Sequence, residues 1–150
     1  MSSMAKGRKQ KPLPSPAPKS IKHGFYLNAA PFKWSLQYCR WEHDGWQVDC
    51  KGVQYFVEHV VIKLQYFETQ TWQEILNASG GKAEGKGNNN HFISADKLPT
   101  EERKVFIGAG YMRNFEKVFS LRLSAKERLI GIVDMNVFHV LWYDAFHRFF

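Results

Sequence analysis

Apolar residues recur along this chain with two different periods, and the switches between them mark out its elements. In residues 32–39 (FKWSLQYC) and in three runs near the end, 118–123 (VFSLRL), 128–133 (RLIGIV) and 137–143 (VFHVLWY), β-branched, aromatic and aliphatic residues alternate with polar ones, as strands do. The polar clusters Ser124 to Glu127 and Asp134 to Asn136 supply turns, so the last three runs read as an antiparallel meander. Neighbouring strand residues point to opposite faces, which puts Phe119, Leu121 and Leu123 on one side and Ser120 and Arg122 on the other. Continued alternation in the last strand places His139 and Tyr143 on one face and Phe138, Val140 and Trp142 on the opposite one. Asp44-Gly45 is a turn signal after the first strand, with Trp46 to Val48 its expected hairpin partner.

Between these strands the period lengthens. Phe56, Val57, Val60, Val61, Leu64 and Phe67 recur at three and four residues, the stripe of an amphipathic helix over residues 53–68. Thr71-Trp72-Gln73-Glu74 has the form of a capping box opening a second helix that buries Trp72, Ile75 and Leu76. Pro99 followed by Glu101 and Glu102 opens a third, which stops at Gly108 or Gly110. The expected class is α+β: N-terminal strand or strands and two or three helices, packed on one face of a small antiparallel sheet that ends in a three-strand meander.

Charge changes the picture at one end only. The chain carries a formal +7, but residues 1–23 hold six Lys/Arg and no acid, leaving fifteen cations against fourteen anions in residues 24–150. The first stretch, rich in Lys and Pro, is expected to be a disordered basic arm, and residues 24–150 one domain. No run of 18 or more apolar residues offers a membrane helix, and with two cysteines and no secretory leader the expectation is a cytoplasmic protein without membrane partners. Cys39, His43 and Cys50 lack a fourth ligand at a recognised spacing, so no metal and no cofactor is expected. Gly80 to Lys86 superficially matches a phosphate loop, but Gly87 stands where the hydroxyl residue belongs. Trp34, Trp41 and Trp46 form either core or a base-stacking platform, with core favoured. His59, among apolar neighbours, reads as a structural histidine.

Candidate chemistry gathers in the meander. Arg122 and Arg128 can grip phosphate oxygens, and His147 is the candidate proton donor, with Tyr143 or His139 as alternatives and Glu116 as a base. Lys126, His139 and His91 are the further RNA-binding candidates. The same stretch, hydrophobic-Ser120-Leu121-Arg122-Leu123, a polar turn, Arg128-Leu129-Ile130-Gly131-Ile132-Val133, a final apolar strand and a late histidine, resembles the closing hairpins of the RelE/ParE superfamily of bacterial toxins. The likeness spans about residues 115–150. It implies a RelE-like fold and a toxin-like endoribonuclease cleaving messenger RNA on the ribosome, held inactive by a small antitoxin. It also implies that Arg122 and Arg128 match the arginines of the family's second and third strands, with His147 or Tyr143 near its C-terminal His/Tyr position. The alternative is a noncatalytic RNA- or protein-binding module using the sheet face and the basic arm, and a gyrase-inhibiting toxin is a third option.

Overall fold

A computed structural model describes residues 26–78 and 89–150; the basic arm and the phosphate-loop-like Gly80 to Lys86 lie outside the described residues. Its centre is a five-stranded mixed sheet made of β1 (Lys33–Ser35), β2 (His91–Ser94), β3 (Lys117–Arg122), β4 (Arg128–Asp134) and β5 (Val137–Asp144), in the spatial order β1-β5-β4-β3-β2. The meander of β3, β4 and β5 is antiparallel, β2 joins it antiparallel to β3, and β1 runs parallel to β5. The expected hairpin after β1 does not form. Gly45–Asp49 instead coils into a π-helical turn that buries Trp46, whose Nε1 donates to the Leu141 carbonyl at 3.2 Å.

Helices cover both faces of the sheet, not one. On the first face Phe119, Leu121, Leu129, Phe138 and Val140 pack against Val60, Leu64, Phe67, Trp72 and Ile75. On the second, Val118, Ile130, Ile132, Leu141 and Trp142 pack against Leu98, Phe106, Tyr111, Phe115 and Phe149. The reason is written in β4, where Leu129, Ile130, Ile132 and Val133 leave no polar parity and both sides must be buried. Each of the fully buried Leu and Ile side chains contributes about 1.5–3 kcal/mol relative to exposure.

The helix expected over residues 53–68 spans α1 (Gly52–Phe56) and α2 (Ile62–Phe67), joined without a break by a π-helical turn at Val57–Val61. That turn rotates the downstream stripe relative to the upstream one, so Val60, Leu64 and Phe67 are buried while Val57 faces outward. Then α3 (Trp72–Asn77) begins at Thr71, whose hydroxyl accepts from Glu74 N at 3.3 Å as the capping pattern requires. Finally α4 (Thr100–Gly108) follows Pro99, with Glu101 and Glu102 in its first turn.

One irregularity redirects the last strand. Ile130 pairs with Trp142 but Gly131 pairs with Val140, so Leu141 is an extra residue, a β-bulge. Beyond it the parity inverts: Tyr143 joins the first face while His139 and Trp142 stand on the second, which corrects the expectation that His139 and Tyr143 share a side. Gly131 lies opposite the bulge, where a Cβ would come within 2.0 Å of the His139 carbonyl oxygen. No helix among the described residues is long and apolar enough to cross a membrane.

Candidate active site

The turn between β3 and β4 closes one end of the sheet, and polar side chains from three elements converge on it. Its frame is local: Leu123 N donates to Glu127 O at 2.9 Å, Ser124 Oγ donates to Glu127 Oε1 at 2.8 Å, and Glu127 N donates back to Ser124 Oγ at 3.2 Å. Arg122 and Arg128 face each other across the strands directly below it, and Arg128 is in turn opposite Asp144. Arg128 Nη1 donates to the carbonyls of Ser124 at 2.8 Å and Glu127 at 3.0 Å, and more weakly to Ala125. Arg122 reaches Ser124 O through Nε at 3.1 Å and Asn89 Oδ1 through Nη1 at 2.8 Å, while its main-chain N–H is held by Asn90 Oδ1. Among the described residues neither arginine is in an ion pair, and both oxygens of Asp144 accept main-chain N–H groups, of Arg148 and Phe149. Burial, then the neighbouring Arg122 cation, lower the Arg128 pKa, and Asp144 opposes them; a guanidinium nevertheless stays charged at neutral pH.

On the first face, above the same turn, sits a histidine–carboxylate pair. The Glu127 carboxylate accepts from the Tyr143 hydroxyl in a short hydrogen bond, from Tyr55 OH at 3.1 Å and from Ser124 Oγ, and His59 Nδ1 lies 3.3 Å from each of its oxygens. Tyr55 and His59 stand one turn apart on the helical rod, with rings parallel and centroids 3.8 Å apart, so the imidazole is clamped in one plane. Burial would raise the Glu127 pKa, but the donors from Tyr143, Ser124, His59 and Tyr55 outweigh it and hold the carboxyl below its ordinary value. Tyr143 is pushed up by burial and by its bond to Glu127, and therefore stays a proton donor. An ionised carboxylate at Nδ1 fixes the tautomer with the proton on that nitrogen and leaves Nε2 as the reactive one. The His59 side chain is 37% exposed, and no described residue bonds its Nε2.

A second histidine–carboxylate pair lies on the other face. His43 Nε2 is 2.9 Å from Glu102 Oε1, joining the loop after β1 to α4, while His43 Nδ1 accepts from Gly45 N at 3.0 Å. Both nitrogens are occupied. The pair borders a cavity of about 230 Å³ that Asp144, Arg148 and Phe149 also line.

The sequence-derived candidates are thus split. Arg122 and Arg128 come together, with Lys126 exposed on the turn beside them. Tyr143 lies across the sheet from the arginines, buried beneath Glu127. His147 occupies the chain-end turn after β5 with φ +57 and an exposed side chain, and contacts neither arginine. His139 pairs with Ile132 and Ser35 on the opposite half of β5, its ring 4.8 Å from Tyr38 and its pKa lowered by burial against the pull of Asp134. His91 is in strand β2, opposite Ser120, rather than in a loop. Glu116 precedes β3 at its far end, roughly 20 Å of strand from Arg122. Glu127, His59, Tyr55 and Ser124 went unrecognised. Ser124-x-x-Glu127 and Tyr55-x-x-x-His59 are both visible as spacings, but 68 residues separate His59 from Glu127 and only the packing of rod on turn unites them.

Among the described residues no group of three or more His, Cys, Asp or Glu side chains is placed to hold a metal ion, and Cys39 and Cys50 are free thiols, Cys39 with its pKa raised by burial. No protein-family model, no curated protein and no solved structure matches the chain significantly.

Proposed function

We propose that the protein cleaves RNA by attack of a ribose 2′-hydroxyl on the adjacent phosphate, with His59 as the proton carrier. The observation that carries this reading is the His59–Glu127 pair, an imidazole held at Nδ1 by an ionised carboxylate on a part-exposed side chain whose Nε2 no described residue bonds. In the proposed reaction Nε2 takes the proton of the 2′-hydroxyl as the 2′-oxygen bonds to phosphorus. The imidazolium so formed, stabilised by Glu127, returns that proton to the departing 5′-oxygen, leaving a 2′,3′-cyclic phosphate and a 5′-hydroxyl. Lys126 and the Arg122/Arg128 pair give the same end of the sheet a positive field for the phosphodiester.

The messenger-RNA substrate, the ribosome and a small antitoxin partner enter the proposal from the likeness of the closing hairpins to the RelE/ParE toxins. The test is to incubate the full chain with translating ribosomes and with naked RNA and to map new ends. Ends bearing 2′,3′-cyclic phosphate that vanish with His59→Gln support the reading, and equal cleavage by that variant overturns it. Salt-sensitive RNA binding without any cleavage would favour the noncatalytic module instead.

A further inference from the structure

The three tryptophans of residues 34–46 have different fates. Trp34 is partly buried against the first core and Trp46 is 6% exposed, but Trp41 is 47% exposed. Its inner side is firmly supported: the ring centroid lies 4.9 Å from that of Trp46 and 5.8 Å from that of Phe56, and these two are 5.9 Å from each other. Trp46 stacks in turn on Tyr143 at 5.6 Å and 28°, and the Tyr143 hydroxyl donates to Glu127. A continuous run of rings therefore leads from an open indole to the carboxylate that orients His59. Phe56 also precedes His59 by three residues, about 4.5 Å along the rod. The acid next in sequence, Glu42, is paired with Arg40 at 3.9 Å, which tempers its repulsion of a polyanion.

We propose that Trp41 is a nucleobase-stacking subsite for the RNA strand whose scissile phosphate sits at His59. This deepens the function proposed above and rests on it. Stacking needs an aromatic ring held by its neighbours with part of its surface open, as Trp41 is held by a tilted Trp46 and an edge-on Phe56, whereas a stable protein partner needs about 800 Å². The contact is independent of base identity, so it sets where the strand lies rather than which sequence is read.

The test uses the full chain and a short 2′-O-methyl oligoribonucleotide, which lacks the attacking hydroxyl, with affinity read by fluorescence anisotropy. Trp41→Ala should weaken binding about tenfold, the scale of one lost base stack. Trp41→Phe should recover most of it, and Tyr66→Ala, which removes a still more exposed aromatic on the rod, should bind like the unaltered chain. Replacing each base in turn by an abasic residue should identify one position at which Trp41→Ala costs nothing more. Equal affinity of Trp41→Ala and the unaltered chain overturns the subsite, while cleavage dependent on His59 leaves the broader reading standing. An unaltered chain that neither binds the oligonucleotide nor cuts RNA, free or on ribosomes, overturns both. Loss of affinity in Tyr66→Ala as large as in Trp41→Ala also overturns it, pointing to a general apolar or protein-docking flank.

Discussion

Among the described residues the same chemical pair occurs twice, and the two copies are built for different ends. In His43–Glu102 both imidazole nitrogens are spent, one on Glu102 and one on the Gly45 N–H, so the ring ties a loop to a helix and has nothing left to offer a ligand. In His59–Glu127 the carboxylate is surrounded by donors from Tyr143, Tyr55 and Ser124, and the ring keeps one nitrogen in reserve. What separates a proton carrier from a clamp is thus the occupancy of the second nitrogen, not the identity of the residues.

Gly45→Ala should strike hardest, because it touches both pairs. A Cβ there would fall 2.1 Å from the Tyr143 carbonyl oxygen, and the Gly45 N–H serves His43, so we expect a loss of at least about 3 kcal/mol in urea unfolding. A variant of undiminished stability would show that the two regions are not mechanically joined. Next comes the contrast in chemistry. His59→Gln should lower the cleavage rate by about 10²–10⁴-fold, and His43→Gln should change it by less than about threefold at a temperature where both are folded. Equal losses in single-turnover assays would erase the distinction.

Acid stability probes the carboxylate itself. Because the folded pKa of Glu127 lies below its ordinary value of 4.5, the unfolded chain binds the proton first; the stabilisation is complete above that value and drains away as the pH falls through the lower, folded one. Tyr143→Phe removes a donor and should make this loss smaller and complete at a higher pH, and Glu127→Gln should remove that part of the pH dependence. Unfolding curves collected below neutrality would detect either change, and superimposable profiles for the three proteins would contradict the network. The smallest effect is expected from Glu102→Gln, which keeps a hydrogen-bond acceptor for His43 and should cost about 1 kcal/mol or less.

The strands of the meander, the helical rod, the Thr71 cap and the start of α4 were all legible from spacing and end signals, because each depends on neighbours within a few residues. The two-sided burial was also present in the unbroken apolar run of β4, though the polar residues of β3 drew attention away from it. The bulge at Leu141 was not legible: nothing in VFHVLWY distinguishes a strand with an extra residue from a regular one, and Gly131, the tell-tale, sits on the partner strand. The meander put the two arginines on neighbouring strands, but the register that sets them opposite each other was not legible. Nor was the pairing of His59 with Glu127, since a histidine among valines on a helix reads as core until the turn above it is in place.

Leu141 gives the last strand eight residues where its neighbour has seven, and the arithmetic reaches everything that follows it. Pairing the strand regularly through Leu141 would turn every later side chain to the opposite face, exchanging the places of Trp142 and Tyr143, so that an indole would meet Glu127 and a phenol would fall among Phe149 and its companions. A hydroxyl in the right place is here a matter of register as much as of residue type, since the one extra residue is what brings the Tyr143 side chain round to Glu127.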